Sequence, residues 1–445
     1  MQQSQKRLSL IVLLVQAFLQ LIHSSPGEDI ATARKSFLSG EKSDFLGAFA
    51  SKFYSLIPES PFDWSFNLML LQSTLVICAL ILFVRNLKLT GKHFLILLIA
   101  QSIFLSFGSQ QSRDGTLFAF VFFGIALLNR NQQDNSLSMG HFYEFLAYSF
   151  IVFGLSFRPW LSPAVLLLVI VMKVRIQKLK GLISLGSLAI FVTILCAPIV
   201  TEAYSSHFLK TSSRYPFQLV IIHDLTSTAC LAANTNSINS AIQGLSPLSN
   251  SSNLSGTLCQ FYRPNTWQAV ANKNSDDDTT RNLIEPIRLT SSAEEFHTLR
   301  SNWASLILSD IRSYLQIKFM LSSQVIFASQ TKLSFDINSE IAESVPSNLS
   351  QLLTRILKVL MIPWFISSQL YLITPGMFLI FFFSFRRWLS VYVDSQVILY
   401  LILSSAIVSL VSTVLLFVSD NGRYLTPILL LCYFLLILPK SRVKV

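Results

Sequence analysis

A succession of long apolar runs separated by short polar segments is the feature that most constrains how this chain folds. A helix of about 20 apolar residues crosses the hydrocarbon core of a bilayer, and a helix satisfies its own backbone hydrogen bonds there. Several of the runs are somewhat shorter than this. They predict an α-helical polytopic membrane protein with about ten transmembrane helices, at 8–23, 65–84, 93–108, 115–129, 142–157, 161–174, 182–200, 367–385, 395–418 and 424–439.

The composition agrees with this prediction. Hydrophobic residues make up 52% of the chain and charged residues only 13%, which is too apolar for an ordinary soluble domain. The formal net charge is +11, but the basic residues fall in small groups between the apolar runs instead of forming one patch. We therefore do not expect a nucleic-acid partner.

The distribution of Lys and Arg predicts the orientation, because cytoplasmic loops are enriched in both. On one face the short segments are rich in basic residues, whereas those of the opposite face hold only Arg113, Arg158 and Arg423. Both termini are therefore expected in the cytoplasm. Lys6-Arg7 and the first apolar run resemble a signal peptide, but no clear small-x-small cleavage site precedes Pro26. We interpret this run as an uncleaved first helix.

This topology divides the chain into three regions. Residues 1–200 form an N-terminal membrane domain with helices 1–7 and an outer loop at 24–64. Residues 201–366 form an α-rich extracytoplasmic domain inserted between helices 7 and 8, and residues 367–445 form the C-terminal membrane helices 8–10. In the outer loop, apolar residues at helical spacing over Ile30–Leu56 predict a helix lying along the membrane interface.

The extracytoplasmic domain shows three local patterns. Residues 234–258 are rich in Asn, Ser, Thr and Gly, which predicts a loop. The segment Phe296–Phe327 has the periodicity of one helix, and Ser350–Trp364 that of a second interfacial segment. Cys230 and Cys259 flank the predicted loop on the oxidising side of the membrane, where a disulfide between them would stabilise the domain.

The candidate functional residues all lie on the predicted outer face, near helix ends. The chain contains no Gly-rich nucleotide-binding motif, no CxxC and no HExxH. An enzyme of this kind would therefore use a substrate that needs no nucleotide pocket. The candidates are Glu28, Asp29, Arg113, Asp114, Arg158, His223, Asp224, Asp420, Arg423 and Tyr424.

Two kinds of chemistry are open for these residues. The three outer arginines have the planar guanidinium that suits bidentate contact with phosphate. They can also pair with nearby acids, Arg113 with Asp114 and Arg423 with Asp420, or reach the lipid headgroups. A carboxylate on a rigid mount can act as a general base, and it can equally cap a helix.

Three of the acids and the histidine keep more than one interpretation. Asp29 and its neighbour Glu28 are equal candidates for the base, and both can instead serve as helix caps. Asp114 can bind a metal ion, orient an acceptor or neutralise Arg113. His223, next to Asp224, can protonate or hydrogen-bond a phosphate, or it can be a structural residue.

Five sequence segments, in this topological order, resemble the GT-C superfamily of membrane glycosyltransferases. GEDIATARKSFLSGE follows helix 1, SRDGTLFAFVFFGIALL enters helix 4, and FRPW follows helix 5. HDLTSTAC and CQFYRPNTW are similar to outer segments of bacterial members, and DNGRYLTPILLL is similar to the RYxxP end before the last helix. The resemblance covers the membrane core and part of the outer domain.

The resemblance implies a sugar transferase of the bacterial inner membrane, with inversion at the anomeric carbon. Its donor would be a polyprenyl-phosphate-linked sugar, and its acceptor a hydroxyl of a glycan, lipid or protein. Asp29 matches the catalytic acid of the family's first outer loop, Asp114 the acid of the second, and Arg423-Tyr424 the pair near the donor phosphate. The second loop has a single acid preceded by Arg113, which departs from a metal-binding pattern.

Two other functions compete with this one. An enzyme similar to O-antigen polymerases or ligases also has many spans and a large outer loop, but it takes a preassembled oligosaccharide as donor. A lipid or solute transporter would be expected to have internal repeats and ionisable residues near the bilayer midplane, whereas here the charges gather at one face.

Overall fold

The described part of the chain is all-helical, in agreement with the predicted fold class. The computed structural model describes residues 2–23, 28–40, 48–60, 63–85, 103–105, 107–108, 111–130, 137–177, 185–205, 209, 217–249, 254–262, 287–327, 347–360, 375–392, 396–416 and 425–437. Within these ranges the only extended pairing is an isolated antiparallel bridge between Ser249 and Ile287.

The helices follow the apolar runs closely. The first eight are α1 Gln2–His23, α2 Glu28–Leu38, α3 Ala48–Leu56, α4 Trp64–Arg85, α5 Arg113–Arg130, α6 Leu137–Leu155, α7 Ser162–Gln177 and α8 Leu185–Ala203. The middle group is α9 Gln218–Leu231, α10 Thr235–Leu245, α11 Leu254–Phe261, α12 Ala293–Ser309, α13 Ile311–Phe327 and α14 Ser347–Leu360. The last group is α15 Pro375–Ser384, α16 Arg386–Tyr392, α17 Gln396–Leu416 and α18 Thr426–Ile437.

Among the described residues, two helices are long and apolar enough to cross a membrane, over Trp64–Phe83 and Gln396–Thr413. Three shorter apolar helices lie at His141–Leu155, Leu188–Ala203 and Thr426–Leu436. The predicted span at 93–108 falls mostly outside the described residues.

The larger of two hydrophobic cores joins α1–α8 to α15–α18. Its centre is α5, which packs against α4, α6, α7 and α18. Gly124 permits the close approach of α5 and α6, because a Cβ at this position would lie 2.7 Å from the carbonyl oxygen of Ala147. Such small residues let helix backbones approach closely in membrane proteins. Phenylalanine rings fill the space on the other side of α5, among them Phe83, Phe122 and Phe434.

The second core is formed by α9–α12 and belongs to the predicted outer domain. A disulfide between Cys230 and Cys259 joins the end of α9 to α11, and this is the pairing that the sequence predicts. The prediction of a loop over 234–258 was wrong. Asn234 caps α10 by accepting a hydrogen bond from the Asn236 amide, and Leu245 and Leu254 are buried in the core. The polar residues that favoured a loop therefore start a helix and cover its outer side.

The predicted single helix over Phe296–Phe327 is two helices, α12 and α13, which meet at Asp310. This residue has a non-helical backbone with φ −145° and ψ 64°. Its carboxylate accepts from the Ser313 amide at 3.1 Å, which caps α13, and from the Asn234 side chain at 3.2 Å. At the break, Asp310 therefore both caps α13 and forms a hydrogen bond with the N-cap residue of α10.

The predicted interfacial helix over Ile30–Leu56 is likewise divided, into α2 and α3. Gly40 follows the end of α2 with a positive φ of 86°, a conformation that glycine adopts at little cost. The predicted interfacial segment Ser350–Trp364 is described as far as Leu360. This part of it is helical and belongs to α14.

Candidate functional site

A buried ion pair between Asp114 and Arg158 marks the start of α5. Ser112 begins this helix by accepting a hydrogen bond from the Gly115 amide at 2.9 Å, so Asp114 falls in the first turn. Arg158 lies in the short turn after α6. Its Nε contacts Oδ1 of Asp114 at 2.7 Å and its Nη2 contacts Oδ2 at 3.0 Å.

The pair is bidentate and almost completely removed from solvent, with 6% of the Arg158 side chain and 5% of the Asp114 side chain exposed. A buried guanidinium and carboxylate of this geometry hold each other in one orientation. Of the alternatives left open by the sequence, the pairing of Asp114 with Arg113 is therefore replaced by pairing with an arginine 44 residues away. Arg113 is half-buried beside the pair.

Three uncharged polar side chains lie next to the pair. Thr116 donates to the Ser112 carbonyl oxygen at 2.9 Å and accepts from Nε2 of Gln72 at 2.7 Å. The Tyr54 hydroxyl is 3.2 Å from the Thr116 hydroxyl. Because the Thr116 proton is already used, Tyr54 is the donor in that contact. The Oε1 atom of Gln72 is buried and has no hydrogen-bond partner among the described residues.

These groups share one electrostatic environment. Burial raises the pKa of the Tyr54 hydroxyl, whereas the positive charges of Arg113 and Arg158 act to lower that pKa and the charge of Asp114 to raise it. All three charged residues are therefore close enough to act on the Tyr54 oxygen. Two arginines and one carboxylate give these three residues together a net charge of +1. We call Tyr54, Gln72, Arg113, Asp114, Thr116 and Arg158 the α5 site.

The first outer acids lie on a helix that packs beside this site. Glu28 and Asp29 begin α2, but their side chains are outside the described residues. Further along α2, Nε of Arg34 donates to the Tyr54 carbonyl oxygen at 3.2 Å. Ile30 is fully buried in the same hydrophobic core as Tyr54. The side chain of Arg34 therefore connects α2 to the backbone of α3, the helix that carries Tyr54.

A second buried acid, Asp224, lies on α9 in the outer domain. Its Oδ1 is 2.6 Å from Nζ of Lys318. Its Oδ2 accepts from Nε1 of Trp303 and from the hydroxyl of Tyr314, both at 3.1 Å. Burial and the charge of Asp224 raise the pKa of Tyr314, so this hydroxyl remains a donor. Every oxygen of Asp224 is thus engaged by the protein.

His223 precedes Asp224 and is also buried. Its Nδ1 lies 3.2 Å from the hydroxyl of Ser227, which also contacts the Tyr262 hydroxyl at 3.0 Å. Tyr262 directly follows α11, the helix that the disulfide joins to α9. His223 and Asp224 therefore take part in the packing of the predicted outer domain, and their predicted contact with substrate stays a prediction.

A third buried pair provides a useful comparison within the larger core. Lys173 on α7 forms an ion pair with Glu144 on α6, and the Tyr148 hydroxyl donates to Glu144 at 3.3 Å. The sequence places Lys173 with the basic residues of the predicted cytoplasmic face, whereas it places Asp114 and Arg158 at the predicted outer face.

The remaining predicted site residues come shortly before the last helix in the sequence. Arg423 and Tyr424 lie outside the described residues. Among the described residues, no three His, Cys, Asp or Glu side chains form a group that can hold a metal ion. Sequence reasoning missed Tyr54, Gln72 and Thr116. The one available signal was Gln72, a polar residue within the otherwise apolar run at 65–84.

The chain matches no protein-family model, no curated protein and no solved structure.

Proposed function

We propose that this chain is a polytopic membrane glycosyltransferase of the GT-C type, which transfers a sugar from a polyprenyl-phosphate donor to an acceptor hydroxyl at the outer face of the membrane. The observation that carries the proposal is the α5 site. Its buried Asp114–Arg158 pair, with Arg113 beside it, forms a cationic group of fixed orientation at a helix start.

The α5 site suits a lipid phosphate for electrostatic reasons. The donor's phosphate carries negative charge, and this charge grows as the bond to the sugar breaks. Fixed cations at that position stabilise the transition state more than the ground state. The amide groups at the start of α5 add to this effect, because helix N-termini favour anions. In this role Asp114 holds Arg158 in place, since both of its carboxylate oxygens accept from that guanidinium.

The proton of the acceptor goes to Asp29, with Glu28 as the alternative base. In the proposed step the acceptor oxygen attacks the anomeric carbon, and the bond between that carbon and the phosphate oxygen breaks. The polyprenyl phosphate leaves with the bonding electrons, and the carboxylate takes the acceptor proton. Attack on the face opposite the leaving group inverts the anomeric configuration. The support for this assignment is the position of both acids at the start of α2, which is bonded to α3 through Arg34.

The proposed location is the bacterial inner membrane, with about ten spans and both termini in the cytoplasm. Two helices long and apolar enough to cross a membrane support this location. Further support comes from the basic residues at one face of the predicted topology and from the five GT-C-like segments in order. Arg423 and Tyr424, in the last of these segments, are proposed to contact the donor phosphate from the other side.

Native mass spectrometry of the detergent-extracted protein tests the donor site. We expect an adduct with added polyprenyl monophosphate that is stronger than the adduct with phosphatidylglycerol at equal concentration. Arg113→Ala and Arg423→Ala should weaken this adduct, and Arg300→Ala, an exposed change on α12, should leave it unchanged. Equal binding of both lipids, unaffected by any of the three changes, would contradict the proposal.

Transfer assays then separate binding from catalysis. Proteoliposomes containing the protein are supplied with a panel of radiolabelled polyprenyl-phosphate sugars and with membrane glycans as acceptors. Asp29→Asn should abolish transfer while the polyprenyl-phosphate adduct remains, and Glu28→Gln should retain transfer. The reverse result would identify Glu28 as the base. Loss of the adduct in Asp29→Asn would show that this residue has a structural role.

A further inference from the structure

An exposed apolar face follows the junction of α12 and α13. Its four large residues, Leu308, Ile311, Leu315 and Phe319, are 83%, 57%, 54% and 77% exposed. Ile311, Leu315 and Phe319 recur every four residues along one side of α13, and Leu308 lies at the end of α12. Exposed apolar side chains in such a row are uncommon on a surface that faces water. We call this row the α13 apolar face.

The side of α13 that flanks this row is fixed to the predicted outer domain. Tyr314 and Lys318 both bind Asp224 of α9, and Ile317 between them is buried. The nonhelical residue Asp310 caps the start of the helix. With these contacts α13 keeps one orientation, and Leu315 and Phe319 remain directed away from the core of the outer domain.

The helix that carries the α13 apolar face packs against the larger helical bundle. α13 packs against α15 and α17, and α17 includes one of the two segments long and apolar enough to cross a membrane. α17 itself exposes apolar side chains, including Val397, Ile407 and Val411. The helices α13 and α17 are therefore in contact, and both expose apolar side chains.

The charges of α13 suit an anionic surface. The helix contains no acidic residue, and its cations are Lys318, which is buried against Asp224, and Arg312, which is exposed. Arg312 lies on the same side of the helix as Leu315 and Phe319, by the 100° spacing of helical residues. An arginine beside an apolar row is the arrangement of helices that lie in the headgroup region of a bilayer.

We propose that the α13 apolar face is a docking surface for the lipid bilayer. Leu308, Ile311, Leu315 and Phe319 enter the boundary between headgroups and acyl chains, and Arg312 binds lipid phosphate. The Asp224–Lys318 pair then holds the outer domain down against the membrane from which α17 emerges. This inference requires that the chain is a membrane protein, but it is independent of the transferase reaction.

Site-specific fluorescence in nanodiscs tests the docking. The full-length protein keeps the Cys230–Cys259 disulfide, its other cysteines are replaced by Ala, and Leu315→Cys or Phe319→Cys is labelled with an environment-sensitive fluorophore. Thr298→Cys, an exposed polar position on α12, is the matched control. The nanodiscs contain phosphatidylethanolamine and phosphatidylglycerol, with or without lipids that carry a doxyl quencher on the acyl chain.

We expect the labels at 315 and 319 to be quenched severalfold more by doxyl lipids than the label at 298, and to be protected from iodide. Arg312→Ala should weaken this quenching when phosphatidylglycerol is present. Iodide quenching at 315 and 319 equal to that at 298 would show a face open to water and overturn the proposal. Protection from both iodide and doxyl lipids would show a protein occupant, such as a second copy of the chain, and would also overturn it. Binding of polyprenyl phosphate is measured separately, so either proposal can fail alone.

Discussion

The larger core and the outer domain each contain a buried aspartate paired with a buried cation, but the two acids have different surroundings. Asp224 has both oxygens engaged by three side chains of its own domain, Lys318, Trp303 and Tyr314. Asp114 is bound by one guanidinium, and a second arginine lies beside the pair. The comparison separates an aspartate that three side chains of its own domain hold in place from an aspartate that is held by one guanidinium with a second arginine beside it.

The largest effect on stability is expected from replacing Asp224, the buried acid of the predicted outer domain. Asp224→Ala leaves Lys318 buried without its carboxylate, and such a loss typically costs about 3–5 kcal/mol. Hydrogen exchange on the full-length protein in nanodiscs should show faster exchange of the α9 and α13 amides. Glu294→Ala, an exposed change on α12, should alter exchange little. Unchanged protection in Asp224→Ala would show that the ion pair does not hold α13 to α9.

Apolar double replacements sharpen the comparison, because a buried ion pair can often be exchanged for hydrophobic residues without loss of stability. Asp114→Leu with Arg158→Met should keep the fold and reduce sugar transfer by about 100-fold, the usual consequence of losing a preorganised charge. Asp224→Leu with Lys318→Met should keep both the fold and transfer. Size-exclusion profiles and transfer assays on matched samples measure the two properties.

A third double variant controls for position within the larger core. Glu144→Leu with Lys173→Met removes a buried pair from α6 and α7 at the predicted cytoplasmic face, and transfer should continue. If this variant loses transfer as completely as the Asp114 variant, then the α5 site has no special role, and the losses reflect general damage to the bundle.

A smaller effect is expected from Gln72, whose Oε1 has no partner in the described part of the chain. Gln72→Met removes one hydrogen bond to Thr116 but also an unpartnered buried acceptor, so stability should stay within about 1 kcal/mol of the wild type. If Oε1 accepts from a substrate hydroxyl, transfer should fall by about fivefold, the value of one neutral hydrogen bond. Ser73→Ala, on the adjacent residue of α4, is the control and should leave transfer unchanged. Equal transfer by Gln72→Met and the wild type would exclude Gln72 from the site.

The sequence predicted the helices better than the contacts between them. Periodicity and apolar length are local properties, so α4, α6 and α17 follow the predicted spans closely. Asp114 and Arg158 were both candidates, yet their pairing depends on the packing of α5 against α6, which no local pattern encodes. The break at Asp310 was missed because apolar residues recur at helical spacing on both sides of it, although an aspartate that accepts from the Ser313 amide is a local helix-start signal.

Other contacts of the candidate residues depend on distant parts of the chain. His223 and Asp224 were predicted to bind substrate because they are polar residues near a helix end on the predicted outer face, and this stays a prediction. In the structure Asp224 contacts Trp303 and Tyr314, which are 79 and 90 residues away. Only the tertiary fold brings these donors together. The Cys230–Cys259 pairing was accessible, since the chain has only five cysteines and these two share the predicted outer domain.

The smallest effect is a dependence of outer-domain stability on acid pH. Hydrogen bonds from Arg288 and the Ser291 amide lower the pKa of Glu295 from 4.5 to about 2. Hydrogen bonds from Ser237 and Ser313 lower the pKa of Asp310 from 3.8 to about 2. Because the folded-state pKa values are depressed, the stabilisation is fully present above the unfolded-state values. It is lost as the pH falls from about 4.5 to about 2.

Hydrogen exchange of the α12 and α13 amides between pH 5 and pH 2, corrected for the intrinsic exchange rate, measures this dependence. The variant Glu295→Gln with Asp310→Asn should be less stable than the wild type at pH 5, and the difference should shrink towards pH 2, where both wild-type carboxyls become protonated. Exposure of both residues to solvent keeps the effect small. A difference that persists unchanged to pH 2 would mean that the amide side chains disturb the caps sterically, and that the carboxylate charges contribute little to stabilising α12 and α13.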